Sequence, residues 1–213
     1  MILRLLFPPK CVLCGCILPK NQTGLCHRCR IEAPDCPIRH TKRTFLDSWA
    51  AVWYYEGNVR SSIIRYKFHH ARHYARVYGP LLAMKLLQAH PEGVDLLTWV
   101  PVSPLRKFTR GYDQVELLAQ AVGQELGMEP VRTIRKIRHN RPQSGIVGEA
   151  QRRANVLGVY RILDPELVRD KKVLLLDDVM TTGATVGEAA RVILTAGAKE
   201  VHGGVIAVRQ NHK

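Results

Sequence analysis

Two adjacent acids and a threonine-rich turn follow a strongly apolar run near the end of the chain. The segment from Val173 to Thr185 reads VLLLDDVMTTGAT. Its apolar run predicts a buried strand, and ligands in open α/β sheets bind at the carboxyl ends of strands. Hydroxyls and backbone N–H groups at a helix start can hold a phosphate, whereas carboxylates bind hydroxyls or Mg²⁺. We therefore predict one site for a phosphate and a polyol. It comprises Asp177, Asp178, Thr181, Thr182, Gly183, Ala184 and Thr185.

A basic segment follows another apolar run, LLTWV, in the middle of the chain. It reads PVSPLRKFTRGYDQ and covers residues 101–114. If LLTWV is a strand of the same sheet, the cations of this segment lie at the same sheet edge as the acids. We interpret its first part as an anion-binding loop, with a solvated basic loop as the alternative. The candidate residues are Val102, Ser103, Arg106 and Arg110.

All six cysteines lie within the first 36 residues, and four of them form two CxxC pairs. Two CxxC turns can surround one Zn²⁺ with four thiolates, which is typical of a closed structural site. The predicted ligands are Cys11, Cys14, Cys26 and Cys29. Cys16, His27 and Cys36 are competing ligands. Disulfides are a weaker alternative, because a secretory signal is lacking and thiols stay reduced in the cytoplasm, where we expect this protein.

The segments between these motifs alternate between strand-like and helix-like patterns. They predict an α/β fold with a mostly parallel sheet and helices on both faces. We expect a zinc-finger-like module at residues 1–45 and the α/β domain at residues 46–213. In the last helix, Thr185 and Glu188 have the spacing of a capping box.

The composition of the 213 residues excludes a disordered chain and favours an anionic partner. Hydrophobic residues make up 46% of the sequence, and the formal net charge is +14. No apolar run reaches the roughly 20 residues of a membrane span, so we expect no membrane insertion. Cations cluster from Arg60 to Arg76 and from Arg132 to Arg153. Aromatic residues interleave with the first cluster, a pattern that fits stacking on single-stranded DNA or, equally well, burial of the aromatic rings in the core.

The acid pair and the TTGAT turn together resemble the 5-phosphoribosyl-1-diphosphate (PRPP) signature of type I phosphoribosyltransferases. The resemblance implies that Asp177 and Asp178 bind the ribose hydroxyls and that the turn binds the 5-phosphate. It also implies that the segment after LLTWV holds the diphosphate with Mg²⁺, and that the basic stretch 132–155 forms a flexible hood. A nucleotide P-loop is excluded, since no GK[ST] follows the glycine.

The two CxxC pairs, the PVSPLRKFTRGYDQ segment and LLLDDVMTTGAT together resemble the ComF/GntX family along essentially the whole chain. That family is associated with DNA uptake in competent bacteria and with use of DNA as a nutrient. The resemblance implies a PRPP-binding accessory protein whose partners include single-stranded DNA and competence-machinery proteins. The alternatives are an active Mg²⁺-dependent phosphoribosyltransferase with a nucleobase-like acceptor, or a PRPP-sensing regulator. Asp113 departs from the Asn of the family pattern. In the downstream pattern Asn140 stands where the family has Thr, Arg152 or Arg153 matches its Arg, and the resemblance carries over Gln143 and Asn155.

Overall fold

The computed structural model describes residues 8–38, 45–90, 92–138 and 149–210, so Gln143 lies outside the described residues. The helices are α1 His27–Glu32, α2 Gly57–Phe68, α3 Ala75–Ala89, α4 Pro104–Arg110, α5 Gln114–Leu126, α6 Glu149–Val156 and α7 Ala184–Thr195. The strands are β1 Ser48–Tyr54, β2 Leu96–Trp99, β3 Ile134–Lys136, β4 Tyr160–Ile162, β5 Lys172–Met180 and β6 Glu200–Val208. None of these described helices is both long and apolar enough to cross a bilayer.

Four parallel strands form the main sheet, in the order β1-β6-β5-β2. The most apolar strand, β5, pairs with a neighbour on each side, with Leu176 opposite Trp99 on β2 and Gly204 on β6. A separate antiparallel hairpin joins β3 and β4. The predicted α/β class with a mostly parallel sheet is confirmed. Because β2 and β5 are adjacent and parallel, the segments that follow them lie at the same edge.

Apolar side chains of β5 alternate between two hydrophobic layers. Leu174 and Leu176 pack with α2, α3 and α5 on one face, whereas Val173 and Leu175 pack with α7 and the β3–β4 hairpin on the other. Helices therefore cover both faces of the sheet, as predicted. The period of two along the strand also decides which layer each acid at its end faces.

The cysteine-rich segment packs directly against α2 and α3. Val12, Leu13 and Leu25 belong to the same hydrophobic cluster as the buried side chains of those helices. The guanidinium of Arg65 in α2 donates to the carbonyl oxygens of Val12 (2.9 Å) and Leu13 (2.7 Å), and the Ser62 hydroxyl also donates to Val12. The division at residues 45 and 46 stays a prediction, but the described residues on either side of it share one core.

Candidate ligand site and metal centre

The two predicted acids lie at the carboxyl end of β5 and are both buried. Asp177 is 7% exposed and Asp178 is 4% exposed. Since successive side chains on a strand point to opposite faces, the two carboxylates have different neighbours. Asp178 faces α2 and α5, where it contacts Lys67 and Gln114. Asp177 faces the β3–β4 hairpin.

Both carboxylate oxygens of Asp178 have partners within the protein. Oδ1 lies 2.8 Å from the Nζ atom of Lys67, and Oδ2 accepts a hydrogen bond of 2.8 Å from the Nε2 atom of Gln114. The Oε1 atom of Gln114 in turn accepts from the guanidinium of Arg110 at 2.9 Å. A chain of polar contacts thus connects the acid pair with the basic segment after β2.

Asp177 experiences the electrostatic cost of two neighbouring buried carboxylates. Burial raises the pKa of Asp177 well above its usual value, and the charge of Asp178 raises it further. The Lys67 ammonium and a hydrogen bond of 2.8 Å from the Asp178 backbone N–H oppose that rise. A divalent cation or hydroxyl donors at this position would stabilise the ionised form. The acid pair is therefore suited to a ligand that brings such groups.

The threonine-rich turn connects β5 to the start of α7. Gly183 has a φ of +81°, a left-handed conformation that glycine adopts without strain, and the Thr182 hydroxyl accepts a hydrogen bond of 3.4 Å from the Ala184 N–H at the helix start. The turn borders a cleft with about 200 Å³ of empty space, including its solvent-open side. The helix dipole and the backbone N–H groups of the first turn favour an anion at such a position. The predicted phosphate residues that line this cleft are Thr181, Thr182, Gly183, Ala184 and Thr185.

The predicted capping box at Thr185 and Glu188 is wrong. The helix begins at Ala184, so Thr185 already lies in its first turn and cannot be the N-cap. Glu188 instead accepts hydrogen bonds of 2.8 and 2.9 Å from the guanidinium of Arg191. It also accepts one of 2.8 Å from the backbone N–H of Gly158, which links α7 to the segment before β4.

The basic segment after β2 forms helix α4 where we had predicted a loop. Ser103 is the N-cap, with its Oγ accepting from the Arg106 backbone N–H at 3.4 Å, and Pro104 occupies the first helical position. Gly111, with a φ of +72°, ends the helix. A Ser-Pro pair followed by a glycine is a recognised helix signal. The candidate cations thus lie on a short helix.

Asp113 organises the junction between this segment and α5. Its carboxylate accepts hydrogen bonds from the backbone N–H groups of Val115 (2.9 Å), Glu116 (3.2 Å) and Val102 (3.1 Å). Burial raises the pKa of Asp113, and these hydrogen bonds oppose the rise. The N–H of Val102, a candidate for binding the diphosphate, is therefore already used within the protein. An acid at this position acts as a helix cap.

The two candidate arginines of α4 have distinct surroundings. Arg106 is half-buried, and its pKa is lowered by burial and by the charge of Arg110. The guanidinium of Arg110 lies 4.7 Å above the ring centroid of Phe68 at the end of α2, in a cation–π contact. The charge of Asp178 acts on Arg106, and Arg110 is connected to Asp178 by hydrogen bonds through Gln114.

Sequence reasoning missed two lysines near the acids. Lys67 pairs with Asp178, and Lys136 on β3 lies close enough to Asp177 and Arg106 to feel both charges. Burial, together with Arg106, lowers the pKa of Lys136 to about 8. Each lysine belonged to a basic stretch of the sequence, but no local signal distinguished it from its neighbours.

The four predicted cysteine ligands come together at one point. Their Sγ atoms all lie within 4.8 Å of one another, and those of Cys14 and Cys26 are 3.7 Å apart. A tetrahedral Zn²⁺ site with Zn–S bonds of about 2.3 Å has sulfur atoms about 3.8 Å apart. The donor set therefore fits a tetrahedral ion, with ligands Cys11, Cys14, Cys26 and Cys29.

Local structure explains why these thiols converge. Gly15, with a φ of +79°, allows the tight turn in which its N–H donates to the Cys11 carbonyl at 2.9 Å. A backbone hydrogen bond from Cys16 lowers the pKa of Cys14 to about 6, which favours the thiolate that metals bind. All six cysteines are free thiols in the structure.

The three competing ligands lie outside this set of four. Cys36 is buried in the other hydrophobic layer, with its thiol directed to the carbonyl of Pro37 at 3.7 Å. His27 is the first residue of α1 and Cys16 is exposed. The four predicted cysteines are therefore the group that can hold a metal ion among the residues described.

The chain is similar in sequence and in structure to several known proteins. A family model described as a phosphoribosyl transferase domain matches residues 115–213. Competence protein ComFC of Streptococcus pneumoniae is 28% identical over 90% of this chain and 96% of its own length. DNA utilization protein YhgH of Escherichia coli K12 is 26% identical over 91% of this chain and 94% of its own length. A hypoxanthine phosphoribosyl transferase structure from Trypanosoma cruzi superposes with a TM-score of 0.40 and 13% identity, covering 67% of this chain and 70% of its own.

The matches to competence and DNA utilisation proteins cover 90% and 91% of this chain. The chain is thus similar over about nine tenths of its length to ComF and YhgH competence and DNA utilisation proteins, its residues 115–213 match a phosphoribosyl transferase domain model, and its N-terminal part holds a four-cysteine cluster.

Proposed function

We propose that this protein binds PRPP, or a closely related phosphorylated pentose, at the carboxyl edge of its parallel sheet. The observation that carries the proposal is a buried pair of acids on the same strand end as a threonine-rich turn that leads into a helix start. Asp177 and Asp178 would hold the ribose hydroxyls, and the turn from Thr181 to Thr185 would hold the 5-phosphate. The electrostatics support this division, because one end of the site favours cations or hydroxyl donors and the other favours anions.

The diphosphate of such a ligand would lie toward α4. Ser103, Arg106 and Arg110 belong to the adjacent segment after β2, and Arg110 reaches the acid pair through Gln114. Mg²⁺ prefers carboxylate and phosphate oxygens, so the acid pair and the ligand diphosphate provide a suitable set of donors. When bound, the ion would neutralise the diphosphate, while the protein residues orient the sugar.

The four-cysteine cluster would hold one structural Zn²⁺. Four thiolates leave no open coordination position, so the ion would stabilise the fold without contacting substrate. The free thiols of the cluster suit the reducing conditions of the cytoplasm. The backbone carbonyls of Val12 and Leu13, between the first two cysteines, accept hydrogen bonds from Arg65 of α2, so the metal would also support the position of that helix.

The biological role we propose is that of an accessory protein in DNA uptake or utilisation, acting with single-stranded DNA and competence-machinery proteins. The names of the relatives and the net charge of +14 support this role. Exposed cations and an exposed aromatic ring lie along and after α2, at Arg60, Phe68, Arg72 and Arg76. Binding of a single strand at this surface would weaken steeply as salt concentration rises.

Calorimetric titration with Mg·PRPP tests the proposed ligand site. The wild-type protein should bind, and the double variant Asp177→Asn with Asp178→Asn should lose detectable binding. Glu166→Gln provides a matched control, because Glu166 is an exposed acid that precedes β5 at its opposite end. Wild-type affinity in the double variant would refute the site.

The match to a phosphoribosyl transferase domain favours a second candidate function, transfer of phosphoribose to a nitrogen acceptor. Release of pyrophosphate from Mg·PRPP across a panel of nucleobases distinguishes the two functions. Base-dependent release identifies a transferase. Binding without release identifies an accessory protein or a sensor.

A further inference from the structure

The acid pair has an internal counter-ion that the proposed function does not use. The Lys67 ammonium, in the last turn of α2, lies 2.8 Å from Asp178 Oδ1. The Lys67 side chain is 21% exposed, and that of Asp178 is 6% exposed. The contact is therefore partly screened from water but remains open on one side.

A divalent cation that binds Asp178 would compete with the two protein partners of this carboxylate. Oδ1 lies beside the Lys67 ammonium and Oδ2 accepts from Gln114, and although each oxygen can accept a further bond, a cation bound there would repel the ammonium. The two partners are held very differently. Gln114 is 3% exposed, its side-chain oxygen binds Arg110, and its backbone carbonyl accepts a hydrogen bond from the Tyr66 hydroxyl.

Lys67 is the more exposed partner, with 21% of its side chain accessible to solvent. A lysine ammonium is a compact charge on a flexible four-carbon stem and can exchange one anion for another at little geometric cost. Its neighbour Phe68 lies under the guanidinium of Arg110, so the end of α2 adjoins the segment that would face the diphosphate. A short movement of the Lys67 stem would carry its ammonium from the Asp178 carboxylate toward the position proposed for the diphosphate.

We propose that Lys67 is an exchangeable counter-ion, which neutralises Asp178 in the unliganded site and moves to the anionic phosphates when a phosphorylated ligand brings a divalent cation. This inference rests on the proposed function for its second step. It makes Lys67 a ligand-contacting residue on α2, outside both sequence motifs of the site. Asp178 becomes available to bind the cation or the sugar hydroxyls when the anionic ligand attracts Lys67 away from it.

The exchange predicts effects of opposite sign on two ligands. Loss of the ammonium leaves two adjacent carboxylates without their internal cation, so a divalent cation alone should bind more tightly. The same loss removes a cationic contact from the anionic ligand, which should bind more weakly. A residue that merely supported the fold would weaken the binding of both ligands or of neither.

The test uses Lys67→Met, which keeps the unbranched stem and removes the charge. Binding of Mn²⁺ alone, followed by electron paramagnetic resonance, should become about fivefold tighter, and calorimetric affinity for Mg·PRPP should fall about tenfold. Lys67→Arg keeps the charge and should recover part of the Mg·PRPP affinity. Lys85→Met is the matched control, since Lys85 pairs with Asp35 at 2.9 Å with a side chain only 12% exposed. It should change neither affinity.

The outcomes separate the inference from the function on which it rests. Tighter Mn²⁺ binding with weaker Mg·PRPP binding supports the exchange. Equal losses for both ligands, or no change in either, in a Lys67→Met protein that is folded at the assay temperature would overturn it. If the wild-type protein does not bind Mg·PRPP, the proposed function fails. In that case the Mn²⁺ measurement still decides whether Lys67 is the counter-ion of the acid pair.

Discussion

Neutralising each acid of the buried pair separately should change the stability of the unliganded protein in opposite directions. Among the described residues, no cation lies within ion-pair distance of Asp177, whose pKa is raised by burial and by Asp178. Asp178, in contrast, is paired with Lys67 at 2.8 Å. We expect Asp177→Asn to raise the free energy of unfolding and Asp178→Asn to lower it.

The size of each change follows from the burial of these groups. Single stabilising substitutions commonly add about 0.5–2 kcal/mol, and we expect a gain in this range from removing a buried carboxylate that has no ion-pair partner among the described residues. At roughly 2–4 °C per kcal/mol for a chain of this length, Asp177→Asn should raise Tm by several degrees. Losing one partner of a fully buried ion pair costs about 3–5 kcal/mol, and surface pairs contribute about 0–1 kcal/mol. The partly exposed Lys67 lies between these limits, and relief of the repulsion between the acids offsets part of the loss. We therefore expect a net loss of about 1 kcal/mol for Asp178→Asn.

The gain from Asp177→Asn should depend on pH. Because the folded-state pKa of Asp177 is raised, ionisation destabilises the folded wild-type protein at neutral and higher pH. As the pH falls through the folded-state pKa toward the unfolded value near 4, the wild type becomes protonated and the difference disappears.

Thermal melts without ligand at pH 8 and pH 5 provide the assay, with Glu166→Gln as a control that should change stability by less than about 0.5 kcal/mol. The reasoning is refuted if Asp178→Asn stabilises the protein as much as Asp177→Asn does. A gain from Asp177→Asn that persists unchanged at pH 5 would contradict the assigned pKa direction.

Two further predictions concern the ligand and the metal. Calorimetric affinity for Mg·PRPP should decline as the pH is lowered. Because the pKa of Asp177 is raised, this decline should begin at a higher pH than the pH at which an ordinary aspartate is protonated. An affinity that is constant down to pH 5 would be inconsistent with this prediction. Metal analysis should return about one Zn²⁺ per chain. Cys29→Ser should lose the ion and melt at lower temperature, since Cys29 is buried in the core shared with α2, whereas Cys36→Ser should retain the ion. Retention of metal by Cys29→Ser would disprove the ligand set.

The parts of the site that are local in sequence could be predicted from it. The apolar run before Asp177 identified the central strand, and the residues after it lie in one cleft because a strand, a turn and a helix start are continuous in the chain. The spacing of the CxxC pairs likewise placed four thiols together. Helix α4 was predicted as a loop although Ser103 and Pro104 carry a helix-start signal, because a helix of seven residues with no buried side chain has no apolar periodicity in its sequence.

Contacts between distant segments could not be predicted in the same way. Lys67 and Asp178 are brought together only by the packing of α2 against the sheet, and nothing in the basic stretch around Lys67 singles it out. The same holds for Arg65, whose contacts with Val12 and Leu13 connect the cysteine-rich segment to α2. The Thr185 capping pattern failed because a matching spacing does not specify where a helix begins.

The structure of a complex with Mg·PRPP tests the central claim most directly. We predict the 5-phosphate within hydrogen-bonding distance of the turn from Thr181 to Thr185, and the ribose hydroxyls on Asp177 and Asp178. A ligand bound at another surface, or one bound in this cleft with its sugar turned away from both acids, would contradict the account.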